Sequence, residues 1–261
     1  MNQFTHRNGK HLQINGASIY AETLGEASKP ALLMLHGGML DIENFNAITA
    51  PLAEKYFLVG MDSRGQGASS LGDKGLSYAL LQSDAQAVAA HFGLQRYGVI
   101  GFSDGGIVGL RMASAADSRV DKLVAIGAHA HPAPGDKSFD IYRQITAQSW
   151  RQKFPEMVDD YEALSPDRDF DALVPAVMKM WLDEGPDGYP GDSCVRIRCP
   201  LLLVRGDDDH LVSRASVNAL LAQLPKARYL SIPFAGHEAH KDQTTMLTLA
   251  LERFLAESPR P

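Results

Sequence analysis

The period of apolar positions changes several times along this chain, and each change marks an element. From His11 to Glu22 apolar and polar residues alternate around Asn15-Gly16, the dipeptide that best fits a two-residue hairpin turn, so the chain is expected to open on an antiparallel hairpin. Pro30 then introduces Ala31-Leu32-Leu33-Met34-Leu35, a short unbroken apolar run of the kind buried on both faces of a parallel sheet. Phe45 to Tyr56 has helical spacing with a kink or break expected at Pro51, and Phe57 to Met61 is a second buried strand. Leu76 to Phe92 is again helical, Tyr97 to Phe102 is a third strand, and a helix-like pattern through Ile107, Val108, Leu110 and Met112 follows it at once. Val120 to Ala128 is the next strand. Strands thus alternate with amphipathic helices, the pattern of a parallel sheet covered by helices on both faces.

The alternation stops after Ala128. Pro132, Pro134 and Gly135 break the chain, and Phe139 to Trp181 reads as helices with aromatic and aliphatic anchors, among them Tyr142, Trp150, Tyr161, Val177 and Trp181. A glycine- and proline-rich stretch from Gly185 to Gly191 closes this insert. Pro200 restarts the sheet with Leu201 to Val204, and a helix from Ala215 to Leu224, a strand from Tyr229 to Ile232 and a helix from Thr244 to Leu255 complete it. The expected class is α/β, a mostly parallel sheet formed by residues 1–132 and 194–261 and interrupted by a helical insertion of residues 133–193.

With 261 residues, 45% of them hydrophobic and 21% charged, the chain can bury a substantial core, as one domain with an insertion or as two small domains. The formal net charge of -6, without a block of lysine and arginine, argues against nucleic acid and other polyanions as partners. Residues 1–13 are polar and lack the apolar centre of a signal peptide, and no run approaches the length of a bilayer span, so the expectation is a cytosolic protein with no membrane partner. Cys194 and Cys199 then read as free thiols, and without nearby ligand histidines they make no zinc site.

Chemistry enters at Val99 to Gly106. Gly101-Phe102-Ser103-Asp104-Gly105 sits where a strand turns into a helix, and the glycines two residues to either side of Ser103 relieve the crowding of a sharp turn that projects its hydroxyl above the sheet edge. The alternative is a glycine-rich turn whose serine only caps the helix. A serine hydroxyl is a poor nucleophile at neutral pH, so it needs a histidine base within hydrogen-bond reach and a carboxylate to orient the imidazole. In an open parallel sheet such groups belong on loops at the carboxyl ends of strands. Asp207 to Asp209 follows one such strand and His237 another, giving the chain order nucleophile, acid, histidine.

His36-Gly37-Gly38, Gly101-Phe102-Ser103-Asp104-Gly105, Gly206-Asp207-Asp208-Asp209 and Gly236-His237, in this order on alternating strands and helices, resemble the α/β-hydrolase fold family over nearly the whole chain. The loop Asp62-Ser63-Arg64-Gly65-Gln66-Gly67 resembles a structural signature of the same family. The resemblance implies Ser103 as nucleophile, His237 as general base and then acid, and Asp209, three residues after Gly206, as the orienting carboxylate, with Asp207 as the alternative. It implies an oxyanion hole of two backbone N–H groups, those of Gly38 and Asp104, with Met39 as the next choice after Gly38. The insert becomes a helical cap that supplies part of the substrate pocket, for which Met39, Asp104, His129, Trp150 and Trp181 are candidates. No metal or other cofactor is implied, and the partner is a small-molecule substrate.

Asp104 has two readings. Its carboxylate sits at the mouth of the site and pairs with a substrate ammonium, as in some hydrolases of amino-acid esters, or it complements the helix dipole and faces solvent. His36 is expected to brace the oxyanion loop, and His129 and His131 to line the pocket as a His-x-His pair without an identifiable third metal ligand. His210 and His240 are expected to be supporting or surface residues, while His6, His11 and His91 lie outside every motif. The implied activity is hydrolysis of a small or medium carboxylic ester. Thioester, lactone, amino-acid ester and carbon-carbon bond hydrolysis share the same three side chains and differ in the cap, and a ligand-binding protein on the same fold is the competing class.

Overall fold

A computed structural model describes residues 2–133 and 136–257, so the expected break at Pro134 and Gly135 lies outside the described residues. The opening hairpin is formed by β1 (Lys10–Ile14) and β2 (Ala17–Leu24), with Asn15 (φ 50°) and Gly16 (φ 80°) making the left-handed two-residue turn. Strands β3 (Ala31–Leu35), β4 (Phe57–Met61), β5 (Tyr97–Phe102), β6 (Val120–Ile126), β7 (Leu201–Gly206) and β8 (Arg228–Ile232) join it in one eight-stranded sheet of order β1-β2-β4-β3-β5-β6-β7-β8. The β2–β4 pair is antiparallel and every later pair in that order is parallel, so the carboxyl ends of β3 to β8 share one edge. The direction of winding reverses between β3 and β5, the place where an open parallel sheet offers a crevice to ligands.

The helices among the described residues are α1 (Asn46–Ala53), α2 (Tyr78–His91), α3 (Asp104–Ser114), α4 (Ser138–Tyr142), α5 (Ala147–Lys153), α6 (Pro155–Leu164), α7 (Phe170–Trp181), α8 (Arg214–Gln223), α9 (Ala239–Asp242) and α10 (Thr244–Ala256). Successive strand residues point to opposite faces, which is why the central runs are apolar without interruption. Leu32, Met34, Leu58, Ile100 and Val124 pack with Ile48 and Leu52 of α1 and Leu247 and Leu251 of α10. Leu33, Leu35, Val59, Val99 and Leu123 pack on the other face with Leu81 and Val88 of α2, Leu110 of α3 and Leu220 of α8. Pro51 does not break α1, which runs through it and ends two residues later; a proline in the second turn costs the helix one internal N–H bond rather than its continuity.

Between β6 and β7 the described residues form α4 to α7 and no strand. The apolar face of α7, with Leu173, Val174, Val177, Met180 and Trp181 buried, joins this insert to the layer that holds α2 and α3. Among the described residues no helix is long and apolar enough to cross a membrane.

Candidate active site

Ser103 stands between β5 and α3 with φ 50° and ψ −116°, a backbone conformation that a residue with a side chain holds only when its surroundings impose it. Its glycine neighbours make the turn possible: a Cβ on Gly105 would lie 1.9 Å from the Leu35 carbonyl oxygen, and one on Gly101 2.2 Å from that of Gly105. The Ser103 side chain makes no hydrogen bond to the helix it precedes, which removes the capping role. Its Oγ lies 3.0 Å from His237 Nε2 instead, and His237 Nδ1 lies 2.9 Å from Asp209 Oδ2. A carboxylate can only accept, so Nδ1 carries the proton and Nε2 turns its lone pair to the Ser103 hydroxyl.

The second oxygen of Asp209 accepts the N–H groups of Leu211 (2.8 Å) and Val212 (3.0 Å). Burial pushes the Asp209 carboxyl up, but the hydrogen bond and charge of His237, together with these N–H groups, outweigh it and hold the carboxyl below its ordinary pKa. Asp207 instead pairs with Arg214 (3.0 Å) and accepts a hydrogen bond from Ser231, outside this chain of contacts. Of the two aspartates considered from the sequence, Asp209 is thus the one brought to His237.

The loop after β3 lies against Ser103. A Cβ on Gly37 would come within 3.2 Å of Ser103 Cβ, and one on Gly38 would lie 2.4 Å from Asp104 Oδ2 and 2.5 Å from a ring carbon of Trp181, so only glycine fits there. Met39 (φ 64°) donates its N–H to Gln66 Oε1 at 2.6 Å, and the next choice for an oxyanion donor is therefore already engaged. Among the described residues the N–H groups of Gly38 and Asp104 have no acceptor. His36 is fully buried and braces this loop: Ser63 N–H donates to Nε2 (2.8 Å), which puts the ring proton on Nδ1, and Nδ1 donates to the Gly37 carbonyl (2.7 Å).

The solvent-facing reading of Asp104 is overturned. The residue is 4% exposed, because α3 starts beneath the insert, and its carboxylate accepts hydrogen bonds from Tyr78 Oη (2.8 Å) and from Trp181 Nε1 (2.8 Å). Burial holds the Asp104 carboxyl above its ordinary pKa, against the opposing hydrogen bonds from Trp181 and Tyr78. Tyr189 donates to the Trp181 carbonyl (2.9 Å) and packs on Tyr78 at 5.1 Å between ring centroids. Trp150 lies on Trp181 at 6.4 Å, with its Nε1 unpartnered among the described residues. His129 is buried edge-on against Tyr189 (5.5 Å), its Nδ1 has no partner among the described residues, and burial takes its pKa down to about 4.

His131 packs edge-on against the same Tyr189 ring (5.5 Å) but is only partly buried and lies 3.7 Å from Glu184. His240 is a buried support and not a surface residue: it is bonded to Asn44 (2.8 Å) and packed at 4.6 Å on Phe102, which in turn packs on His237. Cys194 and Cys199 are free, and burial pushes their thiols up to about 12 and about 11. Tyr78 and Gln66 were not singled out from the sequence. Gln66 stood inside a named loop, whereas Tyr78 is one apolar position among several on α2 and carries no local signal of its partner.

Residues 30–159 match the profile of the family described as alpha/beta hydrolase fold. The chain is 30% identical over 258 residues to the serine hydrolase BPHL of Mus musculus, an alignment that covers 93% of this chain and 84% of that protein. It is 25% identical over 244 residues to the pimeloyl-(acyl-carrier protein) methyl ester esterase of Nitrosomonas europaea, covering 85% and 93%. Among solved structures, the 2-hydroxy-6-oxo-6-phenylhexa-2,4-dienoate hydrolase of Rhodococcus sp. strain RHA1 has a TM-score of 0.79 at 20% identity, covering 95% of this chain and 98% of that one.

Proposed function

Because the chain belongs to the α/β-hydrolase superfamily, whose relatives of this chain include ester hydrolases, we propose that it is a serine hydrolase cleaving a small or medium carboxylic ester through an acyl-enzyme on Ser103. One observation carries the reading: the unbroken chain of contacts from Asp209 through His237 to Ser103, at 2.9 and 3.0 Å, on the carboxyl edge of the sheet. Ser103 Oγ attacks the ester carbonyl carbon while His237 Nε2 takes its proton. The N–H groups of Gly38 and Asp104 hold the negative oxygen of the tetrahedral intermediate. His237 then returns the proton to the departing alcohol. In the second half it takes a proton from the water that attacks the acyl-enzyme, and release of the acid restores Ser103. Asp209 keeps the imidazole in the tautomer this requires, and the insert of residues 133–193 serves as the cap over the acyl and alcohol groups.

A second reading concerns the substrate. The buried Asp104 carboxylate beside Gly38 favours an ester that carries an ammonium group, since a cation there offsets a negative charge next to the developing oxyanion.

The test is covalent labelling and turnover together. Wild type should react with a fluorophosphonate and hydrolyse p-nitrophenyl esters, and Ser103→Ala should lose both. Asp209→Asn should lower kcat by about 10³-fold or more, whereas Asp207→Asn stays within about threefold. A folded wild type that takes no label would instead favour a ligand-binding protein on the same fold.

A further inference from the structure

The loop after β3 is fastened to the loop after β4 at three successive points: Ser63 N–H to His36 Nε2 (2.8 Å), Met39 N–H to Gln66 Oε1 (2.6 Å) and Ile42 N–H to Asp62 Oδ1 (2.9 Å). The outer two hold the ends of the loop. The middle one falls on the residue next to Gly38, and it is buried, with Gln66 1% and Met39 6% exposed. Gln66 is itself fixed in the backbone, donating its N–H to the Ser63 carbonyl (2.9 Å) and accepting that of Ser69 (3.0 Å).

Gly38 needs such support because a glycine carries no side chain to restrict its own dihedral angles. The peptide unit that bears the Gly38 N–H is held through its other end, where His36 Nδ1 donates to the Gly37 carbonyl at 2.7 Å. The following unit, Gly38–Met39, is held through the Met39 N–H by Gln66. Two consecutive peptide planes are thereby pinned from opposite sides, and the Gly38 N–H is left without an acceptor among the described residues. Met39 meanwhile keeps a left-handed backbone (φ 64°), which a residue other than glycine adopts only under constraint.

We propose that Gln66 is a positioning residue for the oxyanion hole. By engaging the Met39 N–H it removes that group as a competing donor and locks the plane beside Gly38, so that the Gly38 N–H is aimed before substrate arrives. This rests on the serine-hydrolase reading of Ser103. Its signature is kinetic, because losing a donor that acts on the oxyanion alone lowers kcat and kcat/KM together and leaves KM in place.

Gln66→Met keeps the side-chain length and removes the acceptor; Gln66→Leu serves if that variant does not fold. With a p-nitrophenyl ester the folded variant should lose about 10- to 100-fold in kcat with KM within about threefold, and a trifluoromethyl ketone, whose adduct on serine carries the oxyanion, should bind more weakly by a similar factor. Unchanged kcat in the folded variant, or a loss confined to KM, overturns the role of Gln66. In the same series, wild type that takes no fluorophosphonate label overturns the serine-hydrolase reading and this proposal with it. With a labelled wild type, the same outcomes bear on Gln66 alone.

Discussion

Asp104 is the residue whose burial matters most for chemistry. Its N–H is a proposed oxyanion donor and its carboxylate lies beside Gly38, so one residue brings both an attractive dipole and a repulsive charge to the same reacting oxygen. Tyr78 and Trp181 each give it one hydrogen bond, but neither brings a positive charge. A substrate ammonium would supply one, and a hydrogen bond between charged groups contributes about 1.5–3 kcal/mol. Matched esters with and without an α-amino group should therefore differ about 10- to 100-fold in kcat/KM in wild type, with the amino ester preferred. Asp104→Asn keeps the shape and removes the charge, and it should erase most of that preference. Equal selectivity in both enzymes would leave the carboxylate with a packing role only. The motif around Ser103 made residue 104 visible in the sequence, but its surroundings were not, because Tyr78 and Trp181 are 26 and 77 positions away in the chain.

At the scale of elements, the segment before β1 is tied into the loops that carry the site. Phe4 is fully buried and exchanges hydrogen bonds with the Asn46 side chain, N–H to Oδ1 at 2.9 Å and Nδ2 to carbonyl at 2.9 Å. His6 places Nδ1 2.8 Å from Glu43 and Nε2 2.8 Å from Asp62, with Tyr20 stacked beside the ring, the Glu22 carboxylate on the His6 N–H and Asp41 nearby. Burial pulls the His6 imidazole down, but the hydrogen bonds of Asp62 and Glu43 and the charges of Asp62 and Asp41 outweigh it and raise its pKa to about 9. The folded value lies above that of an unfolded histidine, near 6.5, so the stabilisation is complete below about pH 6.5 and is lost as pH rises through about 9. Wild type should lose on the order of 2 kcal/mol more than His6→Gln between pH 6.5 and 9.5 in denaturant titrations. Parallel pH profiles for the two proteins would show that His6 is neutral in the fold. His6 stood outside every sequence motif because both its partners come from loops made adjacent by the β3–β4 pairing. The strands themselves were legible for the opposite reason: burial on both faces writes itself into five or six consecutive apolar residues. The four-residue α9 is too short to impose any period and went unread.

For the whole molecule, Arg64 and Asp84 are the polar pair that joins distant parts. Both side chains are fully buried, Arg64 Nε and Nη2 each lie 2.9 Å from an oxygen of Asp84, and the guanidinium also reaches the carbonyls of Leu71, Ile14 and Asn15. Asn15 closes the circle by donating to Asp84 at 2.8 Å. One ion pair thus connects the opening hairpin, the loop after β4 and α2. Removing one partner leaves a buried charge uncompensated, so Arg64→Met should lose about 3–5 kcal/mol in urea unfolding, while its folded fraction keeps the wild-type kcat. A loss below about 1 kcal/mol would mean that water reaches the site and screens Asp84.

The sequence by itself determined the class of the fold, the strands, the helical insert, and Ser103, His237 and an aspartate cluster as candidates, because hydrophobic period, turn chemistry and the glycines of a sharp turn are local properties. It also marked the loop that holds Arg64 and Gln66 without saying what they hold. Tertiary structure alone decided that Asp209 and not Asp207 reaches His237, that the Met39 N–H is engaged, and that Asp104 is buried beneath Trp181. Each of these depends on which loops the strand order brings side by side, and hydrogen bonds across dozens or hundreds of residues leave no periodic trace in the chain that makes them.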